Sequence, residues 1–195
     1  MSKRKMGPAQ FLNPKPVVLV GTVVNDKPNF ITVSWIGNTS ASPPTMAIAI
    51  RNIRYSLEGI KKNMTFSVNI PSVDLVKEAE YCGSVSGFNF DKIKECNLKI
   101  IKGNLDNAPL IEQCPINIEC EVLQIVEIGD HSVIIGKIIE SYITDDCFDN
   151  GKPDIKKINP LCFCTLTEKS MGYYKVGEFV ANTSSISNET KMKNN

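Results

Sequence analysis

Arg51, Arg54 and Ser56 lie close together, after an apolar run and at the start of a helical pattern. Guanidinium forks and the N–H groups of a helix start both present donors and positive charge, which suits a phosphate. The same residues also suit a solvated helix start. Upstream, Trp35 closes a strand-like run and is followed by Asn38, Thr39, Ser40, Ala41 and Ser42. Side chains this small let backbone N–H groups approach a flat ligand. Together these features point to a phosphorylated aromatic cofactor rather than to acid–base catalysis.

Other chemistries fail for want of residues. There is one histidine, His131, which leaves little room for a Ser-His or Cys-His arrangement. It suits a surface or strand edge as well as a catalytic base. No G-x-S-x-G elbow, no H-E-x-x-H and no G-x-G-x-x-G fingerprint occurs. Gly83 to Gly87 is glycine-bounded but lacks the Lys-Ser/Thr of a P-loop. The seven cysteines are irregularly spaced with no C-x-x-C pair, so no metal site is expected. Free thiols in a reducing compartment fit best, most of them acting as small buried hydrophobes. A thiol redox role for Cys162 and Cys164 is the alternative. Alternation puts those two on one face of a strand, where a disulfide is strained.

The elements that must position these residues are mostly strands. Val17 to Val24 and Asn29 to Trp35 read as a hairpin around Asn25 to Pro28. Ile31, Val33 and Trp35 share one face of its return strand. Gly37 to Ser42 reads as a loop closed by Pro43 and Pro44, and Met46 to Ile50 as a third strand. A short helix capped by Ser56 runs to Lys61 and Lys62. Thr65 to Ile70 is a strand stopped by Pro71. A second helix is capped by Ser72 and ended by Gly83, and Asp91 to Cys96 forms a third. Ile116 to Val122 alternates as a half-buried strand with Asn117, Glu119 and Glu121 outward. His131 to Ile143 is another strand, Asp145 to Asp154 a polar loop, and Leu161 to Leu166 the last strand.

Many strands with small helices and no βαβ alternation predict a mainly β, barrel-like sheet. It forms one domain over 1–182, with a mobile polar tail at 183–195. Charge balance is close, 22 Lys plus Arg against 21 Asp plus Glu, which argues against nucleic acid as a partner. No apolar stretch is long enough for a membrane span or a signal h-region, so a cytoplasmic protein is expected.

The ordered segments also resemble a known family. Pro16 to Thr22, Pro28 to Trp35, Ser42-Pro43-Pro44, Arg51-x-x-Arg54-Tyr55-Ser56 and Phe66 to Pro71 are similar to the opening of flavoredoxin and related flavin reductases. Tyr81-Cys82-Gly83-x-x-Ser86-Gly87, Ala108 to Ile111, Cys114-Pro115 and Gly129 to Gly136 continue the likeness in the same order, over roughly residues 7 to 180. The resemblance implies an FMN-binding split β-barrel, usually a homodimer. It places Thr32, Ser34, Trp35, Asn38, Thr39, Ser40 and Ala41 at the ring and ribityl chain, and Arg51, Arg54 and Ser56 at the phosphate. Lys92 approaches the flavin in this scheme, Asn69 and His131 line or border the pocket, and Phe163 with Tyr173 and Tyr174 covers the ring. Trp35 and Phe163 also suit core positions. The implied role is an oxidoreductase that draws electrons from NADH, NADPH or a redox protein. Their destination would be another flavin, ferric iron or a partner protein. A non-enzymatic flavin-binding module and a ferric reductase are the rivals, and no residue selects the donor.

Overall fold

β-Branched runs and tight polar turns make most of the chain strand. The structure is a computed structural model that describes residues 1–167 and 170–182. The polar tail at 183–195 lies outside the described residues. In chain order the strands are β1 (Lys15–Pro16), β2 (Val18–Val24), β3 (Lys27–Val33), β4 (Ile36–Ala41), β5 (Pro44–Arg51), β6 (Thr65–Ile70), β7 (Ile100–Ile101) and β8 (Leu110–Ile111). They continue as β9 (Ile116–Ile128), β10 (His131–Ile143), β11 (Phe148–Asp149), β12 (Lys152–Pro153), β13 (Leu161–Cys164) and β14 (Gly172–Lys175). Four α-helices among the described residues are α1 (Ser56–Asn63), α2 (Val76–Ser84), α3 (Lys92–Glu95) and α4 (Ile155–Ile158).

Seven strands form one antiparallel sheet in the order β3-β2-β6-β9-β10-β5-β4. The first hairpin turns on Asn25 and Asp26 alone, with φ of 49° and 62°. Positive φ at both central residues matches the right-handed twist of the flanking strands. The sheet curls so that its inner face becomes one core. Val18 and Val20 of β2, Ile31 and Val33 of β3, Met46, Ile48 and Ile50 of β5, Phe66 of β6 and Ile134 of β10 meet there. The two edges of the sheet, β3 and β4, do not pair with each other, so the barrel is split between them. Helix α1 adds Leu57 and Ile60 to the same core. It can come this close because Gly59 lacks a side chain; a Cβ there would stand 2.5 Å from the Val23 carbonyl oxygen.

The outer face of β2 and β3 is covered as well. Leu19 and Phe30 pack there with Cys82, Leu98, Ile111 and Cys114. A smaller three-stranded sheet, β1-β13-β14, seats Val17, Ala79 and Leu161 with Phe163 and Tyr173 against it.

Several expectations are corrected. The run after Trp35 is not a loop: Ile36 to Ala41 is strand β4, folded back on β5 by the Ser42-Pro43 turn. The ladder holds it despite its low strand propensity, with an irregularity between Asn38 and Ser40. Ser56 is not the cap of α1; Tyr55 holds that position, and the Ser56 hydroxyl instead accepts from Asn29 Nδ2 at 2.7 Å. Gly83 lies inside α2, and the strand at Leu161 is not the last, since β14 follows it. Asn117 and Glu119 are buried, not solvent-facing. Glu119 Oε1 and Oε2 accept from the Leu105 and Asn104 amides at 2.7 and 2.9 Å, and Oε2 also from the Tyr142 hydroxyl at 2.8 Å. A carboxylate with three donors tolerates a fully buried strand position.

Candidate functional site

Helix α1 begins directly beyond β5, and the Ser86-Gly87 loop begins directly beyond α2. The two meet over the start of β3. Between them lies a cleft of about 200 Å³ whose walls include Asn29, Arg54, Ser56, Ser86, Gly87 and Lys92. The loop approaches closely: a Cβ on Gly87 would fall 1.9 Å from Asn29 Oδ1. That asparagine in turn fixes the Ser56 hydroxyl, so a side chain at Gly87 would disturb the hydroxyl that opens the helix.

The electrostatics of the cleft are one-sided. Two cations line it, and no carboxylate does. Arg54 is half-buried and its guanidinium has no ion-pair partner among the described residues. Lys92 begins α3 and is 4% exposed. Its Nζ donates to the Phe30 and Cys82 carbonyl oxygens at 2.8 and 2.7 Å, which leaves one of three N–H donors for the cleft. Burial pulls the Lys92 pKa down to about 8, opposed by the Cys82 thiol and reinforced by the Arg54 charge. An anion placed between Arg54 and Lys92 removes their mutual repulsion. The first turn of α1 adds the positive end of its dipole, although its Leu57 and Glu58 amides are taken by the Arg54 and Tyr55 carbonyl oxygens.

The remaining residues expected at the site fall elsewhere. Arg51 does not line the cleft; its Nε sits 3.6 Å from Asp130 Oδ2, and its register partner is His131. His131 Nδ1 lies 2.7 Å from Asp130 Oδ1. Its hydrogen bond, with the Arg51 charge behind it, holds the Asp130 carboxyl below the usual carboxylate range. Trp35 stacks on the His131 ring, centroids 4.7 Å apart and planes 16° apart. Ser34 and Trp35 also line an open cleft of about 400 Å³ with the 9–16 segment. The Thr32 hydroxyl donates to the Ala79 carbonyl under α2. Asn38, Thr39, Ser40 and Ala41 are exposed on the sheet-edge strand β4.

Two residues are placed by the core. Asn69 is fully buried, and Phe163 packs on Tyr173 with centroids 5.4 Å apart. All seven cysteines are free, and four of them are buried. Asn29, Tyr55, Ser86 and Gly87 were missed as cleft residues. Asn29 carried one signal, a carboxamide inside an otherwise β-branched and aromatic strand.

A split β-barrel with an acid-free cationic cleft on its flank defines a class: mainly β proteins suited to a phosphorylated ligand. Residues 11–167 match the family model described as the flavin reductase like domain. The chain is 34% identical to a flavoredoxin from Methanosarcina acetivorans, covering 94% of this chain and 96% of that one with a TM-score of 0.86. It is 32% identical to the flavoredoxin of Desulfovibrio vulgaris (Miyazaki F), covering 95% and 100% with a TM-score of 0.88. It is also 34% identical over 147 residues to an uncharacterized protein of Archaeoglobus fulgidus, 75% of this chain and 81% of that protein. The chain belongs to the flavin reductase-like family. No helix among the described residues is long and apolar enough to cross a membrane.

Proposed function

We propose that the chain binds FMN with its phosphate between Arg54, Ser56 and Lys92, and works as an oxidoreductase or electron carrier. The observation that carries this reading is the pair of cations converging on one cleft with no carboxylate among its walls. A phosphate monoester fits that donor set: one guanidinium fork, one ammonium, one hydroxyl and a helix start. Arg54 neutralises and orients the phosphate. Lys92 supplies charge from a buried position that its two carbonyl partners hold fixed. Ser56 is aimed by Asn29. Ser34 and Trp35, beside their own open cleft, are the supported candidates for the ring end, and the edge run Asn38 to Ala41 is assigned by resemblance. Once bound, the flavin itself carries the electrons, so no side chain need act as acid or base. The donor on this reading is NADH, NADPH or a redox protein, and the acceptor another flavin, ferric iron or a partner protein. A cytoplasmic homodimer completes the reading, supported by the free thiols and by the family resemblance.

The purified protein is expected to be yellow or to bind FMN stoichiometrically. A colourless protein that takes up no FMN sinks the reading. Stopped-flow mixing with NADH, NADPH and reduced ferredoxin then identifies the donor as the one that bleaches the visible band.

The lowered Lys92 pKa gives a pH signature. A phosphate raises the pKa of an adjacent ammonium, so above pH 8 binding requires proton uptake and weakens as pH climbs. FMN affinity is expected to be flat from pH 6.5 to about 8 and to fall by up to about tenfold per unit above it. Riboflavin, without phosphate, should show no such break. Titration of flavin fluorescence across this range measures both.

A further inference from the structure

Three of the seven cysteines gather at one place in the fold. Cys82 and Cys114 are fully buried, and the half-buried Cys96 packs against them in the cluster on the outer face of β2 and β3. The Cys82 and Cys96 thiols meet in a side-chain hydrogen bond, whereas Cys114 acts on Cys82 only through charge. We infer that Cys82 and Cys96 are a disulfide-forming pair whose oxidation locks the phosphate cleft's mobile wall and tightens FMN binding. The effect on FMN rests on the reading of Arg54, Ser56 and Lys92 as the phosphate seat; the bond itself does not.

The two cysteines bracket that wall. Cys82 sits near the end of α2 and Cys96 caps the end of α3, so Ser86, Gly87 and Lys92 all fall between them. Both also hold the buried ammonium of the cleft. Lys92 Nζ donates to the Cys82 carbonyl oxygen at 2.7 Å, and the Cys96 amide donates to the Lys92 carbonyl oxygen at 3.0 Å. A cross-link between them therefore fixes Lys92 from both sides. Helix α3 is only Lys92–Glu95, so Cys96 can close on Cys82 without disturbing a strand. The cross-link removes freedom from the 83–95 loop, and a site rigid in its binding shape loses less entropy when the ligand arrives.

The oxidant is a low-molecular-weight disulfide, and Cys96, the one thiol of the three that is open to solvent, is where it enters. The Cys96 thiolate attacks one sulfur of the small disulfide, forms a mixed disulfide and releases one small thiolate. The Cys82 thiolate then attacks Cys96 Sγ and displaces the second. The protein thiols give up two electrons and two protons, which end on the two small thiols. Burial pushes the Cys82 thiol up to about 12 and raises that of Cys96, while the Lys92 ammonium opposes the rise at both. At neutral pH the pair is therefore protonated and slow to react, and it stays reduced unless the small disulfide persists.

The test uses the whole protein, freed of flavin and incubated overnight with oxidised glutathione or with dithiothreitol. Peptide mapping without reduction reads the linkage, and FMN and riboflavin are titrated by flavin fluorescence. A Cys82–Cys96 linkage is expected, with FMN bound about three- to tenfold more tightly than in the reduced protein and riboflavin within about twofold. Dithiothreitol should reverse the gain, and Cys96→Ser should not show it. Limited trypsin digestion is a readout independent of flavin: cleavage at the exposed Lys94 should slow severalfold on oxidation. No linkage, a glutathione adduct left on Cys96, or a Cys82–Cys114 linkage overturns the inference. So does a Cys82–Cys96 linkage that leaves Lys94 cleavage unchanged, or that slows it without tightening FMN in a protein that prefers FMN to riboflavin. If the reduced protein binds FMN no better than riboflavin, the phosphate seat falls; the linkage and slower Lys94 cleavage then still support the locked loop.

Discussion

Arg54→Ala is expected to weaken FMN binding by roughly 10- to 100-fold while riboflavin binding changes less than twofold. The magnitude follows from charge-assisted hydrogen bonds, worth about 1.5–3 kcal/mol each, with tenfold in affinity per 1.4 kcal/mol. Arg54 has no ion-pair partner among the described residues, so its removal strands no carboxylate. Folding stability should therefore move by no more than about 0.5 kcal/mol, the usual range for such positions. Arg54→Lys keeps the charge but loses the fork, and its FMN affinity should fall between the other two. Arg51→Ala is the matched control. Its guanidinium belongs to the exposed Asp130 pair at the last residue of β5, outside the cleft, and a surface pair is worth little. Titration of the three variants with FMN and riboflavin checks the assignment. An Arg51→Ala defect larger than that of Arg54→Ala would move the phosphate to the Trp35–His131 end.

Why Arg54 and Arg51 part company is a lesson in what spacing conveys. The sequence shows two arginines near a helix start, but not that Asp130 of the neighbouring hairpin reaches Arg51. The same kind of long-range partner explains the other differences. Strands Thr65 to Ile70 and His131 to Ile143 are legible to the residue, because β-branched alternation and a following turn or proline define them locally. The edge strand Ile36 to Ala41 is not, since its small polar residues are held by a ladder to β5 rather than by their own preference. Alternation along β9 correctly separates two faces and leaves Glu121 exposed, yet at Asn117 and Glu119 the outward face is covered as well. The 103–111 segment supplies backbone donors to Glu119 and Asn69 from far along the chain. Of the phosphate cleft, Arg54, Ser56 and Lys92 are visible as residue types. Asn29 and Tyr55 enter it only because the β2–β3 hairpin and α1 pack together.

Asn69 tests whether burial or binding explains a residue that resemblance assigns to the flavin pocket. It is fully buried on β6, and its carboxamide is saturated. Nδ2 donates to the Leu19 carbonyl at 2.9 Å and to Ser67 Oγ at 3.0 Å. Oδ1 accepts from the Ile111 amide at 2.9 Å and from Asn117 Nδ2 at 2.8 Å. The side chain thus ties β2, β6, β8 and β9 together at one point. In Asn69→Ala the Ile111 amide and the Leu19 carbonyl lose a partner where water is excluded, at a cost of about 1–3 kcal/mol per stranded group. A loss of about 3 kcal/mol in unfolding free energy is expected, with a drop in Tm of roughly 6–12 °C for a chain of this size. Urea unfolding followed by tryptophan fluorescence measures it, with Trp35 as the single reporter. Below the new transition, FMN affinity should stay within twofold of the parent, because no wall of the phosphate cleft has moved. A variant with parental stability and lost FMN binding would instead put Asn69 in contact with the flavin. The backbone of the 105–111 segment would then have to lift away to admit it.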